Sequence, residues 1–382
     1  MNGDARPLLP FVSETYISWH SRPWSSFMTE KWWRRPLLKP RRLRPGDRVA
    51  VVTPSWGGPA SFPNRYEAGK AYLATAFQLE VVEMPNALRD AQWLYTNPAA
   101  RADDLMRAYA DTSINAIIAS IGGDDAIRLI PHVDLAVIRD NPKVFLGYSD
   151  PTVLHFGCLK AGVGSFHGPT IMSGFAENGG MSRLSEHSFR QATFRTEPIG
   201  ELPPNLEGWT TEHLSWADPA NQSRPRQRTL SRGVRTLQGA GRKRGQLIGG
   251  CAEVLELLKG SDWWPPVSYW DDAILFYEIS EEAPPATYVL YWLRNFAAQG
   301  ILSRLAGILL ARSGGALDQV QREAQQAAVI KALNEAARPD RPVLADLDFG
   351  HTDPITTLPY GVMAEIDCET STVRILEAAV TD

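Results

Sequence analysis

At 382 residues the chain exceeds one typical domain, and two are expected. Hydrophobic residues at 44% and charged residues at 21% fit a soluble globular protein with a sizeable core. The net charge of -4 argues against a nucleic-acid binder, which carries a basic face, and no apolar stretch reaches the roughly 18 residues that would suggest a membrane span.

Residues 1–44 read as an appendage. They hold Trp19, Trp24, Trp32 and Trp33, then a basic run from Arg34-Arg35 to Arg41-Arg42. Such an arm can touch nucleic acid or lipid, but packing on its own domain or on a partner subunit is favoured. The stretch contains Arg6 but no continuous apolar segment, so a secretory signal is not expected and the location is read as cytoplasmic.

Ordered structure is expected from residue 45. Arg44-Pro45-Gly46-Asp47 is a turn, and Arg48 to Thr53 a strand. Leu79 to Val82, Ala116 to Ala119 and Val144 to Leu146 read as further strands. Between the second and third, Asn97-Pro98 opens a helix with Leu105, Met106 and Tyr109 on one face. This alternation predicts a mostly parallel sheet with helices on both faces, over residues 45–178.

Residues 179–245 change character. Gly179-Gly180, Pro203-Pro204 and a basic stretch between Asn221 and Arg244 suggest a linker with a long, mobile excursion. Within it Trp209, Glu212 and Trp216 sit in a polar loop, where tryptophans are either surface anchors or walls of a binding site. A second unit is expected over 246–382. It has a strand at Gln246 to Ile248, a helix at Ala252 to Leu258, and a strand at Ala273 to Tyr277 that delivers Glu278. A helix follows Pro284-Pro285 and ends at Gly300. After the strand Ala306 to Leu310, Asp318 caps a helix carrying Val320, Ala324, Ala327 and Leu333. Val362 to Asp367 and Thr372 to Leu376 form a hairpin.

The most informative segment is Gly147-Tyr148-Ser149-Asp150, between a buried strand and a helix-forming run. A serine on a sharp strand-to-helix turn exposes a nucleophilic hydroxyl and aims the next N–H at the oxygen of the attacked group. An ordinary helix N-cap uses the same Ser-Asp step. Gly122-Gly123 follows another strand, and ligands in such sheets bind beyond the strands' carboxyl ends.

A serine hydroxyl needs a base and an orienting acceptor. The bases on offer are His20, His132, His155, His167, His187, His213 and His351, and position alone does not choose among them. His155 falls inside the helix after Ser149, and His167 in a turn, so both read as structural. No histidine pair has zinc spacing, and Cys158, Cys251 and Cys368 are scattered, so neither metal nor other cofactor is expected.

In this order, the segments Asn141 to Asp150, Pro45 to Pro54, Ser120 to Asp125, Phe166 to Pro169, Leu247 to Gly250, Phe276 to Glu278 with Ser280-Glu281, and Gly350 to Thr352 resemble the LD-carboxypeptidase family of serine peptidases. The resemblance covers roughly residues 44–378. It implies a flavodoxin-like parallel-sheet N-terminal domain and a smaller β-rich α+β C-terminal domain, with homodimers common.

It also implies a triad of Ser149, His351 and Glu278, and an oxyanion hole from the N–H groups of Gly123 and Asp150. Asp124, Trp209 and Trp216 look more like the branch of the microcin C immunity protein, which cleaves an amide joining an aminoacyl group to a nucleotide, than like the branch that trims murein tetrapeptides. An aminoacyl-nucleotide or peptide is therefore the expected partner. A catalytically idle binding protein of the same fold is the third reading. Cys251-Ala252 departs from the family's usual Asn-Leu.

Overall fold

The structure, a computed structural model, describes Trp33 and residues 36–382. Its first five strands are β1 (Arg48–Val52), β2 (Glu80–Glu83), β3 (Ile114–Ala119), β4 (Val144–Gly147) and β5 (Phe166–His167). They pair in parallel in the spatial order β2-β1-β3-β4-β5. Successive side chains in a strand point to opposite faces, so burial of nearly every residue in β1, β3 and β4 means that both faces are covered. That is why these strands read as nearly continuous apolar runs. On the Pro98–Ala110 helix, Leu105 and Tyr109 are buried and Met106 is half-buried, as its spacing predicts. The Thr152–Ala161 helix behind Ser149 is buried on every side. Each large side chain buried this completely contributes about 1.5–3 kcal/mol.

The remaining strands are β6 (Gly200–Glu201), β7 (Arg235–Gln238), β8 (Arg242–Cys251), β9 (Ile274–Glu278), β10 (Gly307–Ala311), β11 (Val343–Leu347), β12 (Leu358–Pro359), β13 (Met363–Asp367) and β14 (Thr372–Ile375). β8, β9, β10 and β11 run parallel at the centre of an eight-stranded sheet, with helices Ala286–Ala298 and Gln319–Glu335 in the crossovers. β13, β14 and β6 extend it antiparallel on one side and β7 on the other. The predicted terminal hairpin is β13–β14. β12 leaves this sheet and pairs antiparallel with β5, so a late segment closes the edge of the first sheet. The architecture is the expected two-domain α/β one, with more parallel pairing in the second sheet than a β-rich reading suggests.

Two local readings change. The segment expected to be a mobile linker holds the Arg183–Phe194 helix, capped by the Ser182 hydroxyl, and strands β6 and β7. Several of its arginines are paired: Arg228 with Glu207 at 3.0 Å, Arg235 with Asp346 at 2.6 Å, and Arg242 with Asp367 at 2.7 Å. The buried face of the Gln319–Glu335 helix is Gln325, Ala328, Val329, Ala332 and Leu333, while Val320 is 73% exposed. Asp318 does cap that helix, in a capping box with Gln321.

Of the appendage, Trp19, Trp24, Trp32, Arg34 and Arg35 lie outside the described residues, as does His20. The described remainder packs on its own chain: Trp33 against Tyr269 at 5.0 Å between ring centroids, Lys39 on Glu377 at 2.9 Å, and Arg42 on Asp382 at 2.8 Å. Among the described residues no helix is long and apolar enough to cross a membrane.

Candidate active site

β4 ends at Gly147, and the chain turns so sharply that Ser149 adopts φ +67°, in the left-handed region. A non-glycine residue there costs on the order of 1–3 kcal/mol, sustained by the buried strand and helix on either side. The Thr152 N–H donates to the Ser149 carbonyl at 2.9 Å and closes the turn. The Gly122-Gly123 loop at the end of β3 presses against it. A Cβ on Gly122 would lie 2.9 Å from the Ser149 Cβ, and one on Gly123, at φ +149°, would lie 2.1 Å from the Ser55 Oγ. Only glycines let the two loops approach this closely. The Gly123 and Asp150 N–H groups donate to no acceptor among the described residues, which leaves both free for an incoming oxygen.

Two carboxylates fix that geometry. The Asp150 carboxyl is buried and accepts from the Ala126 N–H at 2.7 Å, and burial pushes it up to about 6. Asp125 is gripped from two directions by the buried Arg101 guanidinium, at 2.6 and 3.0 Å, and by Arg128 at 3.0 Å. Its neighbour Asp124 is exposed and has no partner among the described residues.

The second sheet delivers the other two groups. Glu278 ends β9, and His351 follows β11 through Asp348-Phe349-Gly350. His351 Nδ1 lies 2.7 Å from Glu278 Oε2, and both side chains are buried. The other ring nitrogen, Nε2, lies 3.1 Å from the Oε2 of Glu281, whose side chain is 67% exposed. The Ser149 hydroxyl has no hydrogen-bond partner among the described residues, although Ser149 and His351 line the same cavity of about 550 Å³. Burial alone would lower the His351 pKa, but the charges of Glu278 and Glu281 outweigh it and raise it to about 9. Burial also raises Glu278, against the opposing pull of His351. The proton of this pair belongs on the ring, as an imidazolium held between two carboxylates.

A base that must be neutral to act then needs a pH near or above its pKa. For a reaction that uses His351 as the base, kcat/KM of the free enzyme is expected to rise with pH along a limb centred near 9 rather than near 6.5, measured from pH 6 to 10.

The other histidines separate as follows. His155 is buried, between the Ser165 hydroxyl and the Gly147 carbonyl at 2.9 Å each, in the structural role its position suggests. His167 is also buried, near Tyr148, Phe276 and Phe349, but neither ring nitrogen has a partner, so burial holds it neutral rather than hydrogen bonds. His213 lines the cavity beside Trp216, at 6.1 Å between ring centroids. Cys251 replaces an expected asparagine, and its thiol donates to Glu253 at 3.2 Å. Ligand-type atoms of Cys251, Glu278 and His351 lie within 4.8 Å of one another, but the 2.7 Å His351–Glu278 contact has hydrogen-bond length.

Across the cavity stands an aromatic wall. Trp56 meets Phe62 edge-on at 5.9 Å, Phe62 meets Trp216 at 5.8 Å, and the Arg65 guanidinium lies over the Trp216 ring at 4.8 Å. Trp209 is not among the residues lining the cavity. It packs against Arg322 at 4.9 Å and Arg312 at 5.7 Å, and its strand-like bridge to Thr229 holds the loop's base. Thr210 exchanges backbone hydrogen bonds with Asp353, which ties the tryptophan loop to the His351 loop. Sequence reasoning missed Trp56 and Arg226. Trp56 follows the carboxyl end of β1, the location that flags Gly122 and Ser149. Arg226 gave no local signal, because its partners Glu177 and Asp353 are distant in sequence.

A strained serine at a strand-to-helix turn, two free N–H groups and a buried histidine–carboxylate pair, brought together by two α/β domains, define a serine-peptidase-type enzyme. The chain belongs to the LD-carboxypeptidase family: the family's N-terminal domain matches residues 49–168 and its C-terminal domain residues 244–366. It is 28% identical over 279 residues to the microcin C7 self-immunity protein MccF of Escherichia coli, covering 72% of this chain and 78% of that protein. Among solved structures, it resembles an MccF-like protein from Streptococcus pneumoniae in complex with AMP, with a TM-score of 0.76 at 26% identity over 86% of this chain and 98% of that one. It also resembles MccF in an inactive-mutant apo state, with a TM-score of 0.80 at 25% identity over 90% of this chain and 100% of that one.

Proposed function

We propose that the chain hydrolyses the amide bond of aminoacyl- or peptidyl-nucleotide compounds of the microcin C type, with Ser149 as nucleophile, His351 as base and Glu278 as orienting acid. Ser149 Oγ attacks the acyl carbonyl while His351 Nε2 takes its proton. The oxyanion is received by the N–H groups of Gly123 and Asp150. The C–N bond breaks, and His351 returns the proton to the leaving nitrogen. Water, deprotonated by the same ring, then attacks the acyl-enzyme and releases the acid and Ser149. The units 45–178 and 246–382, with 179–245 between them and 1–44 as an appendage, form the two sides of this site in the same proposal. A homodimer and a cytoplasmic location belong to the same proposal.

The observation that carries the nucleotide reading is the pair Trp56 and Trp216, which line the cavity that holds Ser149 and are bridged by Phe62. Aromatic faces suit a purine, and the relative from Streptococcus pneumoniae was solved with AMP. A murein tetrapeptide ends in a carboxylate and calls for an available cation. Arg226 lines the cavity, but Glu177 and Asp353 engage it.

The test is hydrolysis, followed by mass spectrometry, of an aminoacyl sulfamoyl-adenosine and of a murein tetrapeptide ending in D-alanine. Cleavage of the first alone is expected, and release of D-alanine alone would move the chain to the murein reading. In the same assay Trp216→Ala is expected to raise KM about 10-fold with little change in kcat, because stacking on a base is worth about 1–3 kcal/mol and is present in both ground and transition states.

A further inference from the structure

The charge of the cavity is one-sided. Asp124, Glu281, Glu282 and Asp353 line it, and Arg226 is the single arginine or lysine among its described lining residues. Four of the five N–H groups of Arg226 are taken up within the protein, and its charge is met by two carboxylates. Its Nε and Nη2 reach the two oxygens of Glu177 at 2.7 and 2.6 Å, Nη2 also pairs with Asp353, and Nη1 donates to the Glu212 carbonyl at 2.9 Å. Asp353 is thereby offset, while the Asp124 and Glu282 carboxylates are exposed and have no partner among the described residues.

Glu281 stands apart from both. Its exposed carboxylate lies on His351 Nε2, the atom that must face the Ser149 hydroxyl for proton transfer. The acceptor that Ser149 needs is thus occupied, and Ser149 itself is unpaired. Nothing else described holds the Glu281 side chain, so a stronger partner in the cavity can draw it away.

We propose that the enzyme selects substrates whose acyl group carries a positive charge, and that this cation pulls Glu281 off His351 Nε2, freeing the ring for Ser149. The inference rests on the proposed function and names its substrate class: a lysyl-, ornithyl- or arginyl-type acyl group on the nucleotide. Such a cation also balances the anionic phosphoramidate in an acidic cavity. An acidic acyl group meets Asp124, Glu281 and Glu282 as like charges, and a cation does the reverse. The groups facing His351 are Glu278, Glu281 and Glu253 with the Tyr148 ring, so engaging Glu281 removes one of the charges that hold the ring protonated. Binding and activation of the base become one event, and Glu281 is a positioning residue that acts through His351.

The test compares kcat/KM for lysyl-, norleucyl- and glutamyl-sulfamoyl-adenosine, which differ chiefly in side-chain charge. The wild type is expected to prefer lysyl to glutamyl by about 100-fold, equivalent to about 2.8 kcal/mol at about 1.4 kcal/mol per tenfold, with norleucyl between. Glu282→Gln should shrink the lysyl-to-norleucyl ratio. Glu281→Gln should shrink it too, while raising norleucyl turnover and moving the alkaline limb of kcat/KM to lower pH, which a merely structural residue would not do. Equal cleavage of the glutamyl compound, or an unchanged ratio in both variants, overturns the inference and leaves the proposed function standing. Turnover of none of the three overturns the proposed function, and the inference with it.

Discussion

Ser149→Ala is expected to lower kcat on an aminoacyl sulfamoyl-adenosine by at least about 10,000-fold, the scale on which removing a serine nucleophile acts. Among the described residues, no other hydroxyl or thiol lining the site is ready to replace it. The Ser173 hydroxyl is paired with the Tyr148 phenol at 2.7 Å. Cys251 is buried, and its thiol is pushed well above its ordinary pKa by burial and by Glu278 and Glu253. The loss should come without unfolding. The Ser149 hydroxyl makes no hydrogen bond that alanine would forfeit, and alanine tolerates φ +67° no worse than serine. The melting temperature is therefore expected to stay within a few degrees of wild type, since a change of about 1 kcal/mol shifts Tm by only about 2–4 °C in a large domain. A variant that melted far lower would mean that Ser149 is holding the turn together.

Glu278→Gln is expected to reduce kcat by about 10,000-fold, close to the effect of amidating the buried acid of a comparable triad. The carboxylate can only accept, and so fixes a proton on His351 Nδ1 and leaves Nε2 as the nitrogen that takes the serine proton in the proposed reaction. A glutamine can offer its N–H₂ to Nδ1 instead, which places the ring proton on Nε2 and blocks the base. The surroundings favour that misorientation, because Glu278 Oε1 is buried without a partner and nothing there would pin the amide. The pH dependence distinguishes this from a general loss of structure. Glu278 raises the His351 pKa, so its neutralisation should move the limb centred near 9 to lower pH while kcat falls. Residual activity with an unmoved limb would mean that the pair does not set the ionisation of His351.

Much of this site was legible in the residues because it sits at the ends of buried strands. β3, β4 and β9 are largely apolar runs, and their carboxyl ends carry Gly122-Gly123, Ser149 and Glu278. What the sequence could not display depends on pairing across long separations. β12 has two residues and no pattern of its own, and it becomes a strand only because β5 is there to receive it. β7 and the start of β8 are half-exposed and arginine-rich, a composition that reads as a linker until the partners Asp346 and Asp367 are in place. The two tryptophans of the polar loop are alike in sequence, yet Trp216 faces the cavity and Trp209 packs on Arg312 and Arg322. Nothing local distinguishes them. The contact of Glu281 with His351 was equally hidden, because the run Ser280-Glu281-Glu282 does not say which carboxylate turns inward.

The most direct test of the central claim is capture of the acyl-enzyme. Wild-type protein mixed with excess lysyl sulfamoyl-adenosine and quenched in acid within one turnover would be weighed intact, then digested and mapped. The account predicts a mass increase equal to the lysyl acyl group, confined to the peptide containing Ser149 and absent from the Ser149→Ala protein. Turnover without any adduct, or an adduct on another residue, would contradict it.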